Sequence, residues 1–417
     1  MAGGLRLMPG LAPSDHVVVV GAGLAGWRTC EELRAAGFAG RLTLIGDEPY
    51  PPYDRPPLSK QVMSGKWTIE HATLATADKV AALRVDLVLG APATHLDVES
   101  TSVTLGEGRV VTGTHVVIAT GARAKRLPLH REFLFEVRRR EDVTRLTDRL
   151  SALAPGDVVA VIGGGFIGAE VATAILARGL RPIVLEAASR PLVGVLGEEV
   201  SRWLEDVPSE GGVEVRTLQR IVAVEAVGDA GDVDVLFEDA TRLRARAVVV
   251  GVGAQPNVEW LAGSGLSIDD GVVVDEHQLC RPRVAAVGDV ANFAWGDEHV
   301  RIEHWQVAAD HAGALARYWM SGEDGAAFVP YFWSDQYGRK IQVLGHPRRD
   351  DEVCRVRDTG AGQWLGLYSR DGVVSGLVAL NQPRALMLSR GLLVEPTRLE
   401  DALARAPWDA TSSSPPR

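Results

Sequence analysis

Cysteine is scarce in this chain of 417 residues: there are 3, Cys30, Cys280 and Cys354, and no two of them form a C-x-x-C pair. That spacing excludes a redox disulfide of neighbouring cysteines and a zinc knuckle, and leaves three inert core thiols. Long apolar runs are missing as well. None reaches the roughly 20 residues that a membrane helix requires, and the opening stretch MAGGLRLMPGLAPSD lacks a signal-peptide pattern. The expectation is a cytoplasmic enzyme with no membrane partner. Runs of lysine or arginine are absent too, and a formal net charge of -10 repels nucleic acid, so no nucleic-acid partner is expected. The histidines fall into no Ser-His-Asp or metal-ligand arrangement, and no metal is expected.

What is present is a globular composition, 46% hydrophobic and 24% charged, on a chain long enough for two or three domains. Its strongest pattern is a repeat. HVVVVGAGLAGWRTCEELRAAGF at 16–38 is echoed by VVAVIGGGFIGAEVATAILARGL at 158–180. In both, a β-branched run ends in glycines, passes into an amphipathic helix and closes on another glycine. Each continues into a second strand ending in acid, RLTLIGDE at 41–48 and RPIVLEAA at 181–188. Asp47 and Glu186 stand about 20 residues past Gly26 and Gly168, where a ribose-binding carboxylate belongs. The chain therefore carries two dinucleotide-binding units.

In Gly21-x-Gly23-x-x-Gly26 the first glycine allows the tight turn, the second lets a pyrophosphate reach the backbone, and the third packs helix on strand. The second copy reads Gly163-Gly164-Gly165-Phe166-Ile167-Gly168, with Glu170 just beyond. A carboxylate at Glu186 accepts bonds from a free 2'-hydroxyl and repels a 2'-phosphate, which favours NADH over NADPH. Arg190 keeps the question open, since it can host a phosphate if its loop folds back.

THVVIATGARAKRLP at 114–128 is an apolar strand stopping at a threonine-glycine turn, ARAVVVGVGAQPN at 245–257 repeats it, and RVAAVGDVANF at 283–293 ends another strand at Gly288-Asp289. That aspartate either caps a helix or bonds ligand hydroxyls at the carboxyl end of a strand. Past about residue 327 the pattern turns to aromatics and period-2 alternation, with a hairpin turn at Arg370-Asp371-Gly372. The expected fold is α/β: two Rossmann-like dinucleotide-binding domains, 14–123 with 249–326 and 124–248, plus a C-terminal α+β domain at 327–405. A disordered tail is expected at 406–417.

GAGLAG with Asp47, ATGA at 119–122, GGGFIGAE, GVGAQPN and AVGDVANF resemble, in order, the motifs of the two-dinucleotide flavoproteins. YDRPPLSK at 53–60 and YFWSDQYG at 331–338 narrow the likeness to the ferredoxin reductases typified by putidaredoxin reductase, rhodocoxin reductase and the reductases of aromatic-ring dioxygenases. It runs from about Asp15 to about Pro396. The resemblance implies FAD in the first unit, held by Gly21, Gly23, Leu24, Ala25, Gly26, Asp47, Glu48, Arg55, Lys60, Ala119, Thr120, Gly121, Arg123, Gly288, Asp289, Trp305 and Trp333. It implies NAD(H) in the second, held by Gly163, Gly165, Phe166, Ile167, Gly168, Glu170, Glu186, Arg190 and Gly253.

Pro56 and Pro57 read as a stiff extended segment that holds Arg55 and Lys60 without helical support. By resemblance, Arg55 approaches the adenosine and phosphates of FAD, and Lys60 lies beside the flavin ring, where a cation stabilises the anionic reduced form. Glu170 would form the catalytic pair with Lys60, holding the lysine and limiting its field. Glu303-His304-Trp305 occupies a stretch where the family carries an acid near the flavin, and His304 is assigned no catalytic role. Trp333 is expected at the flavin edge beside the electron exit. Two residues depart from the family pattern: Arg283, where glycine is common, and Trp27, where smaller side chains are usual.

The implied activity takes a hydride from NADH and passes electrons singly to a small, acidic two-iron two-sulfur ferredoxin. That ferredoxin would serve a haem monooxygenase or a ring-hydroxylating dioxygenase. Docking is expected near the flavin edge, through Arg339-Lys340 and Arg348-Arg349 of the C-terminal domain, on a monomer or weak dimer. A rubredoxin reductase and a non-catalytic, NADH-sensing flavoprotein resembling apoptosis-inducing factor stay open as alternatives. A disulfide reductase lacks its cysteine pair here.

Overall fold

Two runs of apolar, mostly β-branched residues make the two central strands of a computed structural model that describes residues 10–129, 133–228, 231–296, 298–324, 328–360 and 362–410. The chain divides into two compact units. The first takes the described residues of Met1–Arg55, Glu70–Arg123 and Ala254–Phe328, and the second those of Pro56–Ile69, Ala124–Gly253 and Val329–Arg417.

In the first unit, HVVVV forms the strand His16–Val20, with Arg41–Ile45 and His115–Ile118 as parallel neighbours. A run with no polar alternation suits a strand buried on both faces. Val17 and Val19 join one core, with Ala25, Cys30 and Leu33 of the helix Leu24–Ala35 and Leu315 and Trp319 of Trp305–Ser321. Val18 and Val20 join the other, with Val103, Val272 and Phe293. The sheet has six strands in the order Leu279–Arg281, Val284–Ala286, His115–Ile118, His16–Val20, Arg41–Ile45, Val85–Val88, the first antiparallel to its neighbour.

The second unit repeats the plan. Val158–Ile162 lies between Arg181–Leu185 and Ala247–Val250 in a five-stranded parallel sheet completed by Glu214–Arg216 and Leu134–Glu136. Val159 and Val161 pack with residues of the helices Arg140–Ser151 and Phe166–Ala177. Ala160 and Ile162 meet Val224, Val233 and Val235 of a small antiparallel sheet.

The C-terminal segment of this unit is a five-stranded antiparallel sheet in the order Tyr331–Gln336, Arg339–Gly345, Val373–Leu380, Gln363–Arg370, Glu352–Gly360. At the turn expected around Arg370, Asp371 and Gly372 adopt φ of +51° and +74°, the positive pair that matches a tight hairpin to the strand twist. Tyr337 and Gly338, at +53° and +72°, close the first hairpin in the same way. One face of the sheet packs short helices through Ala385, Leu386 and Ala402. The other meets Leu196 and Val200 of Val193–Trp203.

Three details differ from the sequence reading. The segment 56–69, placed there inside the first nucleotide-binding domain, clusters with the second unit, where Met63 is fully buried and its carbonyl accepts from Arg178 Nε. Within it, Leu58–Val62 forms a one-turn helix with Pro57 as its N-cap at φ -64°, so Lys60 has helical support after all. Proline is tolerated there because the N-H it lacks has no partner in the first turn. The disordered tail expected from 406 does not hold for its first residues: Pro407–Asp409 is a helical turn and Trp408 is buried in the C-terminal core, whereas 411–417 lie outside the described residues. Among the described residues no helix is long and apolar enough to cross a membrane.

The large Trp27 is absorbed rather than displaced. It is 1% exposed in the first core, with Nε1 donating to Glu31 Oε1 at 2.8 Å. Trp27→Ala is expected to destabilise the protein by about 3–5 kcal/mol through the cavity it leaves, read as a lower denaturant midpoint.

Candidate functional site

Both glycine loops owe two of their three motif glycines, the first and the last, to the fold itself. Gly21 and Gly163 stand at φ +120° and +102°, and a Cβ on them would lie 2.1 Å from Ala119 O and 2.4 Å from Gly251 O. A Cβ on Gly26 or Gly168 would lie 2.0 Å from the carbonyl of Gly21 or Gly163. The middle glycines are different. Gly23 and Gly165 have φ of -88° and -77°, open to any residue, and among the described residues no atom beyond the adjoining chain lies within 4 Å of a Cβ built there. Among the described residues neither backbone nor packing requires glycine at these positions; a ligand brought against the backbone would. Each is an N-cap without a side-chain cap, so the first N-H groups of the helices beginning Leu24-Ala25 and Phe166-Ile167 receive no cap. The residues at both loops thus fit a pyrophosphate.

The acids after the second strands are not equivalent. Glu186 follows its strand directly, its Oε2 accepting from Gly164 N at 2.7 Å and its Oε1 from Ala188 N at 2.8 Å. The matching position in the first unit is Gly46, where a Cβ would meet Ala22 Cβ at 2.6 Å. No side chain fits there, and the acids come later as exposed Asp47 and buried Glu48. Glu48 accepts from Tyr53 Oη at 2.6 Å and from Arg55 Nη2 at 2.8 Å. Burial works against the Arg55 charge, but Tyr53, Glu48 and Asp289 outweigh it and hold the guanidinium above its ordinary range. Arg190 is paired with Glu198 and, at 3.5 Å, with Glu205.

The two strand-end repeats of the first unit are tied together. Thr120 Oγ1 donates to Asn257 O at 2.8 Å, and Asn257 Nδ2 donates back to Thr120 O at 2.8 Å. Gly121 takes φ +62° between them, and Arg123 Nη1 donates to Asn257 Oδ1 at 3.0 Å and Glu259 Oε2 at 2.9 Å. Gly288, at φ +73°, donates its N-H to His311 Nδ1 at 3.2 Å. Burial lowers the His311 pKa to about 3, so the ring is neutral and Nδ1 is free to accept. His311 thereby steadies the turn that carries Asp289. Trp305 Nε1 donates to Asp54 Oδ1 at 2.9 Å, with Arg28 over its ring at 5.4 Å. Glu303 is paired with Arg301.

The second unit holds a buried ion pair. Lys60 Nζ donates to Glu170 Oε2 at 2.7 Å, with side chains 16% and 3% exposed. Ser59 Oγ donates to the same oxygen at 2.7 Å, and Ser334 Oγ donates to Oε1 at 2.7 Å. Three segments supply the group: the turn Leu58–Val62, the helix Phe166–Ala177 and the strand Tyr331–Gln336. They are fastened by Phe166 edge-on to Phe332 at 4.8 Å and by Tyr337 N donating to Thr173 Oγ1 at 2.8 Å. Trp333 stacks on Tyr331 at 5.9 Å, Ile167 is exposed, and Gly253 turns at φ +98°. Sequence reasoning found Lys60 and Glu170 but not Ser59, Ser334 or His311.

The Arg339-Lys340 pair is already partly neutralised, Arg339 by Glu210 at 3.2 Å and Lys340 by Asp335 at 3.1 Å. Burial pushes the Cys30 and Cys280 thiols up to about 12, which removes them from redox chemistry. Among the described residues no group of three His, Cys, Asp or Glu could hold a metal ion.

The sequence matches the family model described as pyridine nucleotide-disulphide oxidoreductase over residues 15–312 and the reductase C-terminal model over 331–410. It is 36% identical to the ferredoxin reductase component of chlorobenzene dioxygenase from Cupriavidus sp. (strain PS12), covering 93% of this chain and 96% of that protein. Putidaredoxin reductase of Pseudomonas putida is 34% identical over 93% of this chain and 95% of its own. The crystal structure of a covalent putidaredoxin reductase-putidaredoxin complex superposes with a TM-score of 0.86 at 32% identity, covering 92% of this chain and 94% of that one. With its paired glycine loops and antiparallel C-terminal sheet, the chain belongs to the pyridine nucleotide-disulphide oxidoreductase family.

Proposed function

We propose that this chain is an FAD-dependent reductase that takes a hydride from NADH and delivers electrons one at a time to a two-iron two-sulfur ferredoxin of a haem monooxygenase or ring-hydroxylating dioxygenase. The observation that carries the reading is the pair of middle glycines, Gly23 and Gly165, which nothing in the fold requires and two dinucleotides do. The ferredoxin partner is supported by the relatives, one a component of a dioxygenase and another solved joined to putidaredoxin.

The first unit would hold FAD at Gly21–Gly26, with Glu48 fixing Arg55 and His311 fixing the Gly288-Asp289 turn. The second would hold NADH at Gly163–Gly168. Bound FAD supplies the exchange between two-electron and one-electron chemistry. The protein's own residues bind, orient and set charge. Glu186 stiffens the second glycine loop from Gly164 and offers its carboxylate to a 2'-hydroxyl. The pairing of Arg190 with Glu198 and Glu205 leaves its cation compensated, which favours NADH over NADPH. Lys60 would supply a positive charge to the reduction, and Glu170 holds its ammonium within the second unit. Trp333 and the strand around it would form the exit toward an acidic ferredoxin, on a monomer or weak dimer in the cytoplasm.

Gly165→Ala is expected to leave thermal unfolding within about 0.5 kcal/mol, since the position is open and its φ allowed, while raising the NADH Michaelis constant about tenfold or more. Steady-state kinetics beside a thermal scan reads both.

Anaerobic stopped-flow mixing should show fast flavin bleaching by NADH, at least about tenfold slower bleaching by NADPH at equal concentration, and onward reduction of a two-iron ferredoxin. Slow bleaching with both nucleotides and a long-lived charge-transfer band would instead mark an NADH-sensing binding protein. A flavin that reduces rubredoxin but no ferredoxin would overturn the choice of acceptor.

A further inference from the structure

Ser59 and Ser334 belong to no nucleotide-binding motif, yet they are among the most enclosed polar groups of the second unit, 4% and 1% exposed. Their hydroxyls grip opposite oxygens of one carboxylate: Ser59 donates to Glu170 Oε2 and Ser334 to Oε1, each at 2.7 Å. Gln336 Nε2 donates to Ser334 Oγ at 3.2 Å, which occupies a lone pair of that hydroxyl and directs its single proton to Glu170. Lys60 meets the carboxylate through Oε2 alone, and its next acceptor, Pro56 O, stands at 3.5 Å, the edge of bonding.

An ammonium carries three donors, so a carboxylate free to turn would take two of them and screen more of the charge. Here it is not free to turn. We propose that Ser59 and Ser334 are positioning residues that pin the Glu170 carboxylate so that it meets Lys60 through one oxygen, leaving the remainder of the lysine's charge uncompensated for the redox reaction. The inference rests on the reading above, in which Lys60 serves the flavin. Without the Ser334 hydroxyl, Oε1 loses the donor it has among the described residues, and the Lys60 ammonium, already held on Oε2, has further N-H groups to offer. The carboxylate then rotates onto the ammonium and weakens its field.

The experiment compares holoenzymes carrying Ser334→Ala, Ser334→Thr, Lys60→Met and the Ser334→Ala/Lys60→Met pair, by flavin midpoint potential and by the NADH bleaching rate at saturation. Ser334→Ala should lower the potential and slow bleaching about three- to tenfold with the NADH Michaelis constant unchanged, and Ser334→Thr, which keeps the hydroxyl, should recover most of both. In the Lys60→Met background the serine change should have no further effect on potential, because it acts through the lysine. A potential untouched by Ser334→Ala while Lys60→Met moves it sinks this inference and spares the role of Lys60. An equal shift with and without the lysine also sinks it. If Lys60→Met itself moves neither quantity, the reading beneath fails too. Should Ser334→Ala not fold, Ser59→Ala carries the same expectation against the same controls.

Discussion

A carboxylate kept almost wholly from water must be given donors, and Glu170 draws them from two other stretches of chain far from it in sequence, Ser59-Lys60 and Ser334. Removing one member of such a buried pair leaves an uncompensated charge and typically costs about 3–5 kcal/mol. The turn Leu58–Val62, the first helix after the second glycine loop and the opening strand of the C-terminal sheet are thus committed to one arrangement by a single ionised group. The same stretches are also joined by apolar contacts, with Met63 buried in the core of the second unit and Phe166 edge-on to Phe332.

The two glycine loops show how one architecture serves two ligands with different acids. In the second unit the carboxylate comes straight off the strand and braces the loop from Gly164. In the first, Ala22 fills that space, so the acids are displaced along the chain and Glu48 is spent on Tyr53 and Arg55 instead. A difference of one methyl group at the loop decides where negative charge can stand.

The repeat, both sheets and the hairpins of the C-terminal segment were legible because hydrophobic period and turn chemistry are local signals. HVVVV and VVAVI announce strands buried on both faces, and Asp371-Gly372 announces a hairpin. Ser59 and Ser334 were illegible because serine has no characteristic spacing and their common partner lies 111 and 164 residues away. His311 sits unmarked in the middle of a helix. Pro56-Pro57 was misjudged since the rule against proline in helices does not reach the first turn, and the tail was misjudged because its low-complexity end hid Trp408, an anchor for the C-terminal core.

The strand Tyr331–Gln336 carries Ser334 and Gln336 inward, both buried, while Trp333 and Asp335 alternate with them and stay partly exposed. Because successive side chains of a strand point to opposite faces, the outer positions can change size and charge without disturbing the inner ones. Such a strand lets a lineage explore new partners on one side while its internal chemistry is inherited intact on the other. The same pleat forbids insertion: one added residue would exchange the two faces and turn the serine out to solvent.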